Sequence, residues 1–115
     1  MSVWATIPVL EQPALTLVRW AVFEVLQPEP RTRHLVGWCL ENVEGRVSSN
    51  IVSFDEKLMR GTTKSGRVYQ LKDETNGLVD PIGIYVLKRW HRVNRTQSWM
   101  GVTVEELVQA LKETQ

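Results

Sequence analysis

Residues 15–26 read LTLVRWAVFEVL, a run in which both alternating sets are apolar. Leu15, Leu17, Ala21, Phe23 and Val25 share one face, interrupted by Arg19; Val18, Trp20, Val22 and Leu26 share the other, interrupted by Glu24. The β-branched and aromatic content, bounded by Pro13 and by Pro28 and Pro30, predicts a strand covered on both sides. Residues 31–40 alternate His34, Val36, Trp38 and Leu40 against Arg33, Leu35, Gly37 and Cys39, a second strand whose short connection favours antiparallel pairing with the first. A third strand is expected over 46–54, with Val47 and Ile51 on one face and Val52 and Phe54 on the other. Ser65-Gly66 between 62–64 and 67–71 predicts a hairpin, because glycine supplies the positive φ of a tight turn.

Beyond residue 79 the period changes. Asp80-Pro81 offers an N-cap followed by proline at the first helical position, and Ile82, Val86, Trp90 and Val93 recur at helical spacing, so a helix is expected over 80–93. The β-branched IGIYVL at 82–87 would also suit a strand start. Thr103 with Glu106 three residues later forms a capping box, and Val104, Leu107, Val108 and Leu111 make the apolar stripe of a last helix ending near Glu113. Strands followed by helices point to an α+β fold. The expected architecture is a twisted antiparallel sheet or partial barrel of four to five strands, with two C-terminal helices closing one face. Residues 1–14, with Pro8 and Pro13 and no sustained period, are expected to be an N-terminal arm, and 15–115 a single domain.

Composition is compatible with a folded core: 43% of the 115 residues are hydrophobic and 23% charged. One cysteine, Cys39, excludes an intrachain disulfide framework. No apolar run approaches the roughly 20 residues needed to cross a bilayer, so a membrane anchor and a signal peptide are not expected, and the localisation expected is cytoplasmic.

Net charge is +1, but its distribution is uneven. Residues 60–95 hold eight basic side chains and three acidic ones, whereas 1–59 and 96–115 are each net −2. Arg60, Lys64, Arg67, Lys88, Arg89, Arg92 and Arg95 are therefore the candidate anion-binding set, with Tyr69, Tyr85 and Trp90 interleaved as phosphate contact plus stacking would use them. On a helix, Lys88, Arg92 and Arg95 would project from one face. The same residues also suit the solvated face and dipole-complementing last turn of any amphipathic helix. A pI of 7.9 lies below the value above about 9 that marks many nucleic-acid domains.

Signals for catalysis are absent from the motifs. His34 and His91 show no metal-binding spacing, and no cofactor or metal is expected. His34 reads as a partly exposed strand residue and His91 as part of the basic face. Cys39 in VGWCL suits a buried, inert thiol. The serines of RVSSNIVSF lack a nucleophile elbow. Of the five tryptophans, Trp20, Trp38 and Trp90 fit core positions, while Trp4 and Trp99 fall in loop or arm segments and are the candidates for a partner surface.

The stretch GRVSSNIVSFDEKLMRGTTKSGRVYQL at 45–71, followed by a proline-started helix with a central Trp90, resembles short uncharacterised bacterial proteins with a similar GRVSS and TKSGRVY arrangement. The resemblance implies a bacterial, cytoplasmic, stand-alone domain and carries no activity or catalytic residue. The expected function is a non-catalytic binding module that uses 60–95 to contact an anionic macromolecule, nucleic acid before an acidic protein surface. The alternative is a regulatory or inhibitory protein-interaction module, with a homodimer as one form. An enzymatic reading requires His34 or His91 to meet carboxylates in a cleft.

Overall fold

The computed structural model describes residues 12–73, 75 and 81–113. Residues 1–11 of the expected arm, Trp4 among them, lie outside the described residues. Seven strands and two helices follow in the order β1 (Ala14–Gln27), β2 (Thr32–Cys39), β3 (Glu44–Val47), β4 (Ile51–Asp55), β5 (Arg60–Thr63), β6 (Val68–Leu71), α1 (Pro81–Val93), β7 (Ser98–Val102) and α2 (Val104–Glu113). The fold is α+β, with more strands than the four to five expected.

The sheet is mixed, not antiparallel. Its path runs β3-β2-β1-β6-β5-β4, and β7 joins at β1. One edge of β1 pairs antiparallel with β2. The opposite edge is divided: Ala14 to Leu17 pair parallel with β6, and Val22 to Gln27 pair antiparallel with β7. Length explains this, since a 14-residue strand can serve two short partners end to end.

Arg19 separates the two halves. It takes a left-handed backbone, φ 51°, and the register with β2 advances from Val18↔Trp38 to Ala21↔Val36, which places one extra residue in β1. Such a bulge exchanges the faces of everything after it. Leu15 and Leu17 therefore share an inner cluster with Trp20 and Val22, while Ala21, Phe23 and Val25 belong to a second cluster on the outer face. The strict alternation read from the sequence holds on each side of Arg19 and fails across it.

A split also divides the expected third strand. The Ser48 hydroxyl accepts the Leu35 N–H at 2.9 Å and donates to the Ser49 carbonyl at 2.8 Å. The chain leaves β2 there, and β4 pairs with β5 instead. The sheet curls strongly: Arg46 on β3 donates from Nε to the Tyr69 hydroxyl on β6 at 3.0 Å, although β2 and β1 lie between them in the pairing order. It does not close, leaving β3 and β4 at the ends of the path.

The helices cover opposite faces, which corrects the expectation that both close one. Leu107 and Leu111 of α2 pack into the inner cluster with Leu15, Leu35 and Tyr69. Val86 and Leu87 of α1 pack on Phe23, Val36 and Val47 outside. The capping box of α2 forms as expected, with the Thr103 N–H donating to Glu106 Oε1 and the Glu106 N–H to Thr103 Oγ1. Residues 82–87 are helical and not a strand start. Gly45 on β3 lets α1 approach: a Cβ there would lie 2.3 Å from Val86 Cγ2. Among the described residues no helix is long and apolar enough to cross a membrane.

Candidate functional site

The sequence of α1, PIGIYVLKRWHRV, contains no acidic residue. Its inner side holds Val86, Leu87 and Trp90 against β1, β2 and β3. Tyr85, Lys88 and Arg92 follow at spacings of three and four, so they share the outward side, and all three are exposed. Among the described residues the side chains of Lys88, Arg92 and Arg95 make no hydrogen bond or ion pair. Arg89 is half-buried and donates from NH1 to the Tyr85 hydroxyl at 3.0 Å. Arg95 follows the end of α1 in a left-handed conformation, φ 55°, so it does not continue the helical face as the spacing suggested. Val93, expected in the core, is 46% exposed.

The hairpin residues divide three ways. Lys64 is exposed in the turn between β5 and β6. Arg60, also exposed, donates from Nε to Gln70 Oε1 at 3.0 Å and borders a separate depression with Glu56 and Lys57. Arg67 is a correction: it is buried, with Nε donating to the Gln12 carbonyl at 2.9 Å, so it serves the fold and not an outer basic surface.

A cavity of about 400 Å³ lies where α1 ends over the 48–50 turn. Its walls are His34, Val47, Ser48, Ser49 and Asn50 on one side and Trp90, Val93 and Asn94 on the other. Two loops meet behind the turn: the Lys64 N–H donates to the Asn50 carbonyl at 2.7 Å, and the Ser49 hydroxyl bonds the Ser65 hydroxyl at 3.3 Å. Lys64 thus adjoins the far wall through its backbone, and Arg92 and Arg95 flank Val93 and Asn94 of the near wall in sequence. The two walls of this cavity come from segments separated in sequence by β4, β5, β6 and the chain leading to α1.

Buried His34, expected to be partly exposed, anchors the floor. Its Nδ1 bonds the Ser48 carbonyl at 2.9 Å and its Nε2 the Thr32 hydroxyl at 2.8 Å. A carbonyl can only accept, so Nδ1 carries the proton and Nε2 accepts from Thr32. Burial lowers its pKa below the ordinary imidazole value, with the Ser48 carbonyl opposing. The ring stacks on Phe23 with centroids 5.2 Å apart and lies 4.7 Å from the Trp90 ring. Trp90 meets Phe23 edge-on at 5.4 Å. Among the described residues neither ring nitrogen of His34 contacts a carboxylate.

Comparison with protein-family models, with curated proteins and with solved structures finds no match. The site rests on its own geometry.

Trp99 falls on β7 and not in a loop; it is half-buried, edge-on to Phe23 at 6.4 Å and to His91 at 6.3 Å. Its ring covers the outer cluster. The His91 Nδ1 is bonded to the Thr96 hydroxyl, and desolvation lowers the His91 pKa. Cys39 is buried and its thiol pKa is raised, chiefly by desolvation. Among the described residues no group of three or more His, Cys, Asp or Glu could hold a metal ion.

A second, larger cavity of about 670 Å³ lies on the α2 side. Trp20, Met59, Val102 and Val104 form its apolar wall, and Glu56, Asp73 and Glu105 bring three carboxylates to it. Sequence reasoning missed the wall residues of the first cavity, Asn50 and Asn94. Each had a signal: Asn94 closes a helix, where asparagine is favoured, and Asn50 ends the polar SSN that splits two strands.

Proposed function

We propose that the protein binds the sugar-phosphate backbone of a nucleic acid on the face formed by the outer side of α1 and the turn carrying Lys64. One observation carries this reading: Lys88, Arg92 and Arg95 are exposed and, among the described residues, their side chains make no hydrogen bond or ion pair, while Lys64 is tied through its N–H to Asn50 in the wall of the cavity that α1 helps to form. Side chains without an internal partner leave their charge available to phosphate oxygens, and releasing the counterions condensed on the polyanion drives the association. Exposed Tyr85 beside these cations adds a ring for stacking.

Titration of a labelled oligonucleotide across a salt series tests the reading. Affinity should fall steeply with salt, with a log–log slope of roughly −0.7 to −0.9 per neutralised phosphate. Arg92→Glu should weaken binding and reduce the slope by about one. Binding that ignores salt, or none at low ionic strength, overturns it.

A further inference from the structure

We propose that the cavity between α1 and the 48–50 turn takes an unpaired nucleobase, so that the preferred ligand is a single strand. This deepens the backbone reading and rests on it.

Size and shape come first. About 400 Å³ falls within the roughly 300–1,000 Å³ of small-ligand sites. Trp90 supplies an aromatic wall whose orientation is fixed by Phe23 and His34 behind it. Aromatic walls of this kind hold splayed-out bases by stacking, and every base has a face to offer.

Hydrogen-bonding capacity then defines what the cavity lacks. Both His34 nitrogens are occupied. Asn50 Oδ1 accepts the Arg33 N–H at 2.9 Å, which fixes the amide orientation and leaves Nδ2 as a donor. Asn94 Nδ2 donates to the Trp90 carbonyl at 2.9 Å, which leaves Oδ1 as an acceptor. Trp90 Nε1 has no partner among the described residues. Among the described residues the lining therefore leaves two donors and one acceptor open to a ligand. The pairing edge of each nucleobase presents both a donor and an acceptor, so the set matches a base without selecting one.

Charge placement completes the argument. Lys64 is tied through its N–H to Asn50 on one wall and Arg95 follows Asn94 in the chain on the other, so phosphates on either side of an inserted base would each have a cation near. A duplex keeps its pairing edges occupied and could use the cations alone.

Fluorescence anisotropy at one fixed salt concentration with three probes tests this: a labelled oligothymidylate, the same strand annealed to its complement, and an equally long strand of abasic sites. The oligothymidylate should bind roughly tenfold more tightly than the abasic strand. Trp90→Phe, which keeps a ring against Phe23, and Asn94→Leu, at an exposed position, should each narrow that gap, with circular dichroism confirming that both fold. Equal affinity for oligothymidylate and abasic strand, with steep salt dependence retained, overturns the base pocket and leaves backbone binding standing. A gap that survives both substitutions also overturns it, because the base is then held elsewhere. Failure of all three probes to bind with salt dependence overturns both readings.

Discussion

The two helices have similar amphipathic patterns and cover opposite faces of one sheet, yet they build different surfaces. On the outer face α1 carries no acid, and its cavity is lined by no carboxylate among the described residues. On the inner face α2 begins with Glu105 and Glu106, and the neighbouring cavity carries Glu56, Asp73 and Glu105. The acid-free sequence of α1 and the acidic first turn of α2 thus lie on opposite faces of one sheet. Under the proposed function, this contrast would favour the approach of a polyanion from the α1 side.

Four perturbations break or sharpen this contrast. The largest effect is expected at Leu107, fully buried under α2: Leu107→Ala should cost about 2–5 kcal/mol in chemical denaturation. Oligonucleotide affinity measured below the transition should stay unchanged, because the α1 side is intact. Next, Gly45→Ala places a methyl against Val86 and should cost about 1–3 kcal/mol, this time with weakened oligonucleotide binding as α1 shifts. An unaltered denaturation midpoint would contradict the close approach of α1 to β3.

The third effect depends on pH. The folded-state pKa of His34 is lowered from 6.5, so the unfolded chain binds the proton more readily. Stability should accordingly fall as pH drops below about 6.5 and stop falling once the folded-state pKa is passed. His34→Asn should flatten this part of the profile; His91→Asn, removing the other depressed imidazole, measures the remainder. The smallest stability change, within about 0.5 kcal/mol, is expected for the surface pair Arg92→Glu and Glu105→Lys. Their binding effects should differ sharply: the first weakens oligonucleotide binding, and the second leaves it nearly unchanged because it acts on the other side of the sheet.

Local signals in the sequence were strong where an element is self-contained. The β1–β2 pair, the Gly66 turn and the capping box at Thr103 follow from residues within a few positions of one another. Non-local pairing was not legible. β7, with its bend-prone Gly101 and short length, has no pattern distinguishing it from loop until Val22 to Gln27 offer it an edge. Parallel pairing of β1 with β6 likewise depends on the curl of the whole sheet. Among site residues, the outward cations of α1 could be read from helical spacing. The burial of Arg67 could not, because its partner Gln12 lies 55 positions away. Nor could the joining of the Lys64 turn to the 48–50 turn, which runs through hydrogen bonds at Asn50 and Ser49.

The divided edge of β1 also bears on how the chain is made. Synthesis delivers β1 first and its partner β7 near the end, so the backbone groups of Val22 to Gln27 on that edge await a strand that emerges only after α1. Apolar Val22, Phe23 and Val25 sit on this waiting edge, the combination that recruits other chains into intermolecular strands. A ribosome stalled before Ser98 would leave a product prone to aggregate, and the last strand of the sheet acts as the step that removes that hazard.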